Sequence, residues 1–277
     1  MVTFLELELL TLNKMIGFNH LGIVGRLGNQ MFQYAALRGI ANEHGYDFTI
    51  PESNFEDEWN DHQLFEAFKL PHLKNRGKVV DQYLQERQFH YDEKLVYQCP
   101  DDVSLYGYFQ TEKYFSSITD SIKEDFRFHD EIYNNCKEVM DEMDNPISLH
   151  VRRTDYVEKS QDHPPCSMNY YKQALKQFPE DQQVIIFSDD VRWCKEQDLF
   201  KDDRFLVSET DDNLYDLCMM TMCKGYIIAN SSFSWWGAWL SETENPKVIA
   251  PSRWFGETGY TSKNNTQDIV PDRWIKI

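Results

Sequence analysis

Ile147-Ser148-Leu149-His150-Val151-Arg152-Arg153-Thr154-Asp155 reads as a short apolar strand that ends on two adjacent guanidiniums. A strand this apolar is buried on both faces, as in a parallel sheet covered by helices. The rhythm continues downstream: helix near Asn169–Gln177, strand Val184–Phe187, helix Val191–Gln197, strand Arg204–Val207, helix Asn213–Cys223, strand Tyr226–Ala229, helix Ser234–Ser241 and strand Lys247–Ala250. Short apolar strands alternating with helices predict an α/β fold with a parallel, doubly wound sheet. Ligands of such sheets sit beyond the carboxyl ends of the strands. Three polar motifs fall there: Arg152-Arg153, Ser188-Asp189-Asp190 and Asn230-Ser231-Ser232.

Upstream, His20–Val24 is expected to be the first strand, Gly25–Gly28 a tight turn, and Asn29–His44 a helix closed by Gly45. Asp47–Ile50 follows as a second strand stopped by Pro51. Residues 51–100 are rich in aromatics and charge and show no clear period; Ser104–Tyr108 resumes as a strand and Lys113–Phe126 as a helix. Asp144-Asn145-Pro146 is the natural boundary. The expected organisation is an N-terminal extension at 1–14, an α/β domain at 15–145 and a second at 146–277.

At 277 residues with a formal charge of −18, the chain carries no basic run of five or more. That argues against a nucleic-acid partner held by phosphate neutralisation. The six cysteines include no C-x-x-C pair and no zinc-finger spacing, so they read as reduced structural thiols. Residues 2–15 lack a basic leader and a small-residue cleavage site, and the uncharged stretch Gly225–Ser241 holds too many polar groups for a bilayer span. A cytoplasmic protein without a transmembrane segment is expected.

Each motif has two readings. Arg152-Arg153 is either an anion clamp, since guanidiniums offer rigid forks of donors, or a salt-bridged turn. Gly25-Arg26-Leu27-Gly28-Asn29-Gln30 is either a close-approach ligand turn or a plain turn with Asn29 as helix cap. Asp189 and Asp190 either accept hydrogen bonds from a nucleoside or cap the helix at Val191. Ser231, Ser232 and Phe233 open a helix whose N–H groups suit a phosphate, whereas Trp235, Trp236 and Trp239 read as core. His150 is a ligand contact or a satisfied core histidine. Asp155 and Glu158 are candidate general bases, with Asp155 the better partner to orient an arginine. No metal site is expected: the remaining histidines do not pair, and Asp-x-Asp is absent.

Taken together, G-R-L-G-N-Q-M-F-Q-Y-A at 25–35, H-V-R-R-T-D-Y at 150–156, F-S-D-D at 187–190 and A-N-S-S-F-S-W-W-G-A-W-L at 229–240 resemble glycosyltransferase family 11, the α-1,2-fucosyltransferases, in their soluble bacterial or viral type. The resemblance implies a GT-B-like architecture of two Rossmann-like domains facing a cleft. It implies inverting, metal-independent transfer of L-fucose from GDP-fucose, the donor substrate, to the 2-hydroxyl of a terminal β-galactoside, with no cofactor. Carried over, Arg152 holds the β-phosphate while Arg153 supports the motif. His150 and Asp189 contact the nucleoside, Asn230, Ser231, Ser232 and Phe233 the phosphates and base, and Gly28, Asn29 and Gln30 close from the first domain. The base is Glu158, Asp155 or a group of the N-terminal domain. An α-1,6-type transferase and a catalytically silent GDP-sugar-binding or glycan-binding module are the rivals. The absence of G-x-x-x-x-G-K-[ST] disfavours a P-loop kinase. The acceptor is expected against region 51–110, with peripheral membrane contact only if that acceptor is lipid-linked. The extension before Met15 stands outside the family pattern in this reading.

Overall fold

The computed structural model describes residues 14–52, 62–79 and 82–277. In chain order the first half runs β1 (Met15–Gly17), α1 (Leu27–His44), β2 (Asp47–Ile50), α2 (Gln63–Ala67), β3 (Asn75–Arg76), β4 (Tyr83–Gln85), α3 (Glu93–Tyr97), β5 (Val103–Tyr106), α4 (Thr119–Asp125) and α5 (Asp130–Asp141). The second half runs β6 (Ile147–Val151), α6 (Thr154–Glu158), α7 (Met168–Leu175), β7 (Val184–Ser188), α8 (Val191–Glu196), β8 (Phe205–Val207), α9 (Asn213–Met222), β9 (Gly225–Ile227), α10 (Ser232–Trp239), β10 (Lys247–Ala250) and β11 (Ile275–Lys276).

The strands form two sheets, ordered β3-β2-β1-β5-β4 and β11-β10-β9-β6-β7-β8. Every pairing in both is parallel. The α/β, GT-B-like expectation therefore holds. In β6, Ile147, Leu149 and Val151 join a core beneath α7 and α8, while Ser148 and His150 point to the opposite, equally buried face. That two-sided burial is why the strand reads as a nearly unbroken apolar run.

A second, larger core crosses from one half to the other along α1 and α10. Phe32 of α1 lies 4.5 Å and 4.9 Å, ring to ring, from Trp235 and Trp236, and Phe115 stacks on Trp236. All three α10 indoles are buried, as expected, and each donates its N–H: Trp235 to Ile269 O, Trp236 to Gly28 O and Trp239 to Glu112 Oε2. Burying an indole without a partner for its N–H costs free energy, so these bonds fix where α10 lies.

Three expectations are corrected. The first strand is Met15–Gly17, and the apolar stretch at His20–Val24 folds as turns, with Gly22 at φ 89° and Gly25 at φ 91°. Lys113–Phe126 is two 3-10 turns followed by the short α4, because Phe115 turns inward against Trp236 and interrupts the helix. Asn29 does not cap α1; the cap position belongs to Arg26, whose carbonyl accepts from the Asn29 and Gln30 amides. The Gly45 cap is present, in the left-handed region at φ 66°. The N-terminal extension, residues 1–13 above all, lies outside the described residues, as do 53–61 and 80–81 of region 51–110.

Candidate active site

The carboxyl ends of β6, β7 and β9 converge. Val151 and Ser188 end their strands side by side, while β9 stops at Ile227, opposite Leu149, and the chain runs on through Ala229 to the Asn230–Ser232 turn beside Arg152 and Asp189. Arg152 Nη1 donates to Asp189 and Nη2 to Asp155, which grips the guanidinium from two sides. Its plane lies over the Tyr156 ring at 5.1 Å, and the Tyr156 hydroxyl donates to Asn230 O at 3.1 Å. Arg152 is 14% exposed. A guanidinium carries five N–H donors, so two such bonds leave three for a ligand.

Arg153 faces the other way. Its Nε donates to Asp190 at 3.1 Å and its guanidinium covers Trp193 at 3.9 Å, while its backbone N–H donates to Asp189 at 2.9 Å. Asp190 also caps α8, accepting from the Trp193 amide at 3.1 Å. Asp189 holds Arg152, the Arg153 amide and the Thr154 hydroxyl at once. Its carboxylate is thus engaged by the protein itself. Two guanidiniums face three carboxylates here, a formal excess of one negative charge. The arginines alone do not make an electropositive hole.

The balance is supplied by α10. Ser231 sits at its cap position without a side-chain bond to the helix, and the first amide in the helical ladder is that of Trp235. The amides before it point out of the helix end, a region of partial positive charge that suits an anion. Gly28 closes this end from the other half: a Cβ there would lie 2.7 Å from Phe233 N and from Ser232 Oγ. Only a residue without a side chain lets the two helix starts approach this closely. Asn29 accepts from Gln110 Nε2 at 2.6 Å, and Gln30 is fully buried.

His150 is buried, with Nδ1 2.8 Å from Ser234 Oγ and its ring 5.7 Å from Phe233. Burial, aided by Arg152, depresses its pKa to about 3, so the ring is neutral at ordinary pH. Asn230 is buried and donates to Pro164 O and Trp254 O, which makes it a staple of the turn. Glu158, at the end of α6, is exposed and has no hydrogen-bond or ion-pair partner among the described residues. Among the described residues no three His, Cys, Asp or Glu side chains gather as a metal site would need, and no helix is long and apolar enough to cross a membrane.

Sequence reasoning missed Tyr156, Trp193, Gln110 and Glu86. Tyr156 was legible as the aromatic four residues after Arg152, and Trp193 as the aromatic on the helix that Asp190 caps. Gln110 and Glu86 belong to loops with no pattern of their own. The Glu86 carboxylate accepts from the Tyr108 amide at 2.8 Å and the Phe109 amide at 3.1 Å; burial nevertheless raises its pKa to about 7.

With this geometry in hand, the chain can be set beside known proteins. The profile described as Glycosyl transferase family 11 matches residues 3–277. The match reaches back into 1–14, so the expectation that this segment stands outside the family pattern is overturned. An Escherichia coli O-antigen biosynthesis glycosyltransferase, WbnK, is 29% identical over 302 residues, covering 91% of this chain and 98% of that protein. An α-1,2-colitosyltransferase of the same organism is 30% identical over 289 residues, covering 92% and 97%. The galactoside α-(1,2)-fucosyltransferase 1 of Bos taurus is 24% identical, covering 78% of this chain and 64% of its own. Among solved structures, POFUT1 in complex with GDP-fucose superposes with a TM-score of 0.57 at 13% identity, covering 86% of this chain and 97% of that one. NodZ α-1,6-fucosyltransferase soaked with GDP-fucose gives 0.53 at 12%, covering 87% and 95%. At such identities the superpositions speak for the fold alone.

Proposed function

The chain belongs to glycosyltransferase family 11, and on that premise we propose that it moves L-fucose from GDP-β-L-fucose to the 2-hydroxyl of a terminal β-galactoside, with inversion and without a metal ion. The observation that carries this reading is the uncapped start of α10, closed by Gly28 and set beside the doubly held Arg152. It is an anion site that needs no cation. Asp155 and Asp189 fix the plane of the guanidinium, and its remaining N–H groups meet the β-phosphate. Ser231, Ser232 and Phe233 receive the diphosphate and base, with neutral His150 behind Phe233.

The acceptor 2-hydroxyl oxygen attacks the anomeric carbon on the face opposite the phosphate. The bond from that carbon to the β-phosphate oxygen breaks, and GDP leaves with the electron pair. Arg152 and the α10 amides lie where that negative charge develops, which lowers the barrier to departure. The acceptor proton passes to a carboxylate of the 155–158 turn. Asp155 is committed to Arg152, so Glu158, which has no side-chain partner, takes that role.

A second reading has one specific support, the 30% identity to an α-1,2-colitosyltransferase: the same site then transfers a colitosyl unit in place of a fucosyl one. GDP release with a β-galactoside acceptor in EDTA separates the two. The proposal expects turnover with GDP-fucose. Turnover with the colitosyl donor alone selects the second reading, and a strict requirement for a divalent cation contradicts both.

A further inference from the structure

Among the described residues ten large hydrophobic side chains are exposed, and four of them, Tyr83, Tyr106, Tyr108 and Tyr260, belong to one neighbourhood. In the β4–β5 ladder Tyr83 pairs with Ser104 and Gln85 with Tyr106, which places Tyr83 and Tyr106 on the same sheet face. The His20 ring lies 5.3 Å from each of them. Burial raises the Tyr108 hydroxyl pKa, and Tyr106, Tyr260 and Glu86 add to the rise, which puts Tyr260 of the second half within electrostatic reach of this patch.

The patch leads to the catalytic arginine. From Tyr108, ring contacts run to Phe89 at 6.5 Å, Phe255 at 5.0 Å, His163 at 5.4 Å and Tyr156 at 5.0 Å, and Arg152 lies over Tyr156. On the other flank, Gln33 Nε2 donates to both Gly107 O and Val24 O, and Gln110 donates to Asn29, tying the Tyr106–Gln110 loop to the turn that closes on α10.

We propose that His20, Tyr83, Tyr106, Tyr108 and Tyr260 form the platform on which the acceptor saccharide lies. The proposal rests on the reading of the chain as a glycosyltransferase. Contiguous exposed apolar surface marks a binding site. A tyrosine ring offers a flat apolar face with a polar tip, which matches a pyranose with its C–H face and rim of hydroxyls. An anionic bilayer repels a chain of formal charge −18. Glu86, gripping the Tyr108 and Phe109 amides, is the positioning residue of the loop.

The test uses the full chain with N-acetyllactosamine as acceptor and GDP-fucose as donor. Tyr106→Ala, Tyr108→Ala and Tyr260→Ala are each expected to raise the acceptor KM roughly five- to tenfold, leaving the donor KM unchanged, and the Tyr→Phe counterparts to restore most of the loss. Tyr260 is 91% exposed, so its variant does not endanger folding. An unchanged acceptor KM in all three alanine variants, or donor and acceptor KM rising together, overturns the platform. Saturation-transfer NMR of N-acetyllactosamine and of GDP, each alone, separates this proposal from the one it rests on. Loss of the saccharide signal in the alanine variants, with no GDP signal even in the unaltered chain, breaks the proposed donor and supports the platform.

Discussion

Both sheets are wholly parallel, five strands in one and six in the other, yet they offer their ends to different tasks. In the second, β6 is five buried residues long and ends on Arg152, with Asp189 and the start of α10 at the ends of the strands on either side. In the first, β1 is three residues long, β4 presents exposed tyrosine, and the corresponding ends are loops such as Gly107–Gln110. One half positions charge by regular structure. The other positions rings by irregular structure. A diphosphate has a fixed shape that strand ends and helix starts can match, whereas a variable saccharide suits a surface that loops can reshape.

The largest effect that could break this contrast comes from Arg152→Ala. It is expected to abolish GDP release and to weaken GDP binding about tenfold or more, since a charge-assisted contact is worth about 1.5–3 kcal/mol; calorimetric titration of GDP reads this directly. Near-normal turnover in that variant would place the donor elsewhere. Next, Gly28→Ala drives a methyl group into the Ser232–Phe233 backbone. A cost of about 2 kcal/mol is expected, seen as a lower melting temperature together with a raised donor KM, because the same contact joins the halves and closes the site.

Arg153→Ala sharpens the division within the pair. It loses Asp190 and the Trp193 face but keeps the backbone bond to Asp189. A stability loss of about 1 kcal/mol is expected by urea unfolding, with kcat largely retained. A kcat loss as deep as that of Arg152→Ala would return both arginines to catalysis.

The last effect is in pH, and the halves differ in sign. Glu86 is raised to about 7 in the fold, so its contribution is present below its ordinary value and lost as pH rises through 7. Between about pH 6 and pH 8 this amounts to about 1 kcal/mol, and Glu86→Gln is expected to flatten it. His150 is lowered to about 3, so its contribution is present above about 6.5 and lost as pH falls from there toward 3. Urea midpoints across that range for the unaltered chain, Glu86→Gln and His150→Gln check both signs.

How much of this was legible in the amino-acid sequence follows the same division. β6 was readable residue for residue, because burial on both faces forces an apolar run that turn and cap residues then end. The site motifs beyond β6, β7 and β9 were readable because strand-end placement is a local property. β1 was misplaced to His20–Val24, since three residues carry no period and the next apolar stretch is folded into turns, its Leu21, Ile23 and Val24 amides bonding back to Phe18 O and His20 O. α5 passed unnoticed although Ile132, Cys136 and Met140 mark a buried stripe at four-residue spacing; the charged residues between them masked it. The tyrosine patch had no signal, because exposure and the meeting of Tyr83 with Tyr106 exist only after the chain has folded.

The central claim is that the uncapped α10 start and Arg152 release GDP while an acceptor 2-hydroxyl attacks from the opposite face. The most direct measurement is the NMR spectrum of the product made from GDP-β-L-fucose and a β-galactoside in EDTA. An α-anomeric fucose with the glycosylation shift at C2 of galactose is predicted. A β-anomeric fucose, a linkage at C6, or no product contradicts the account.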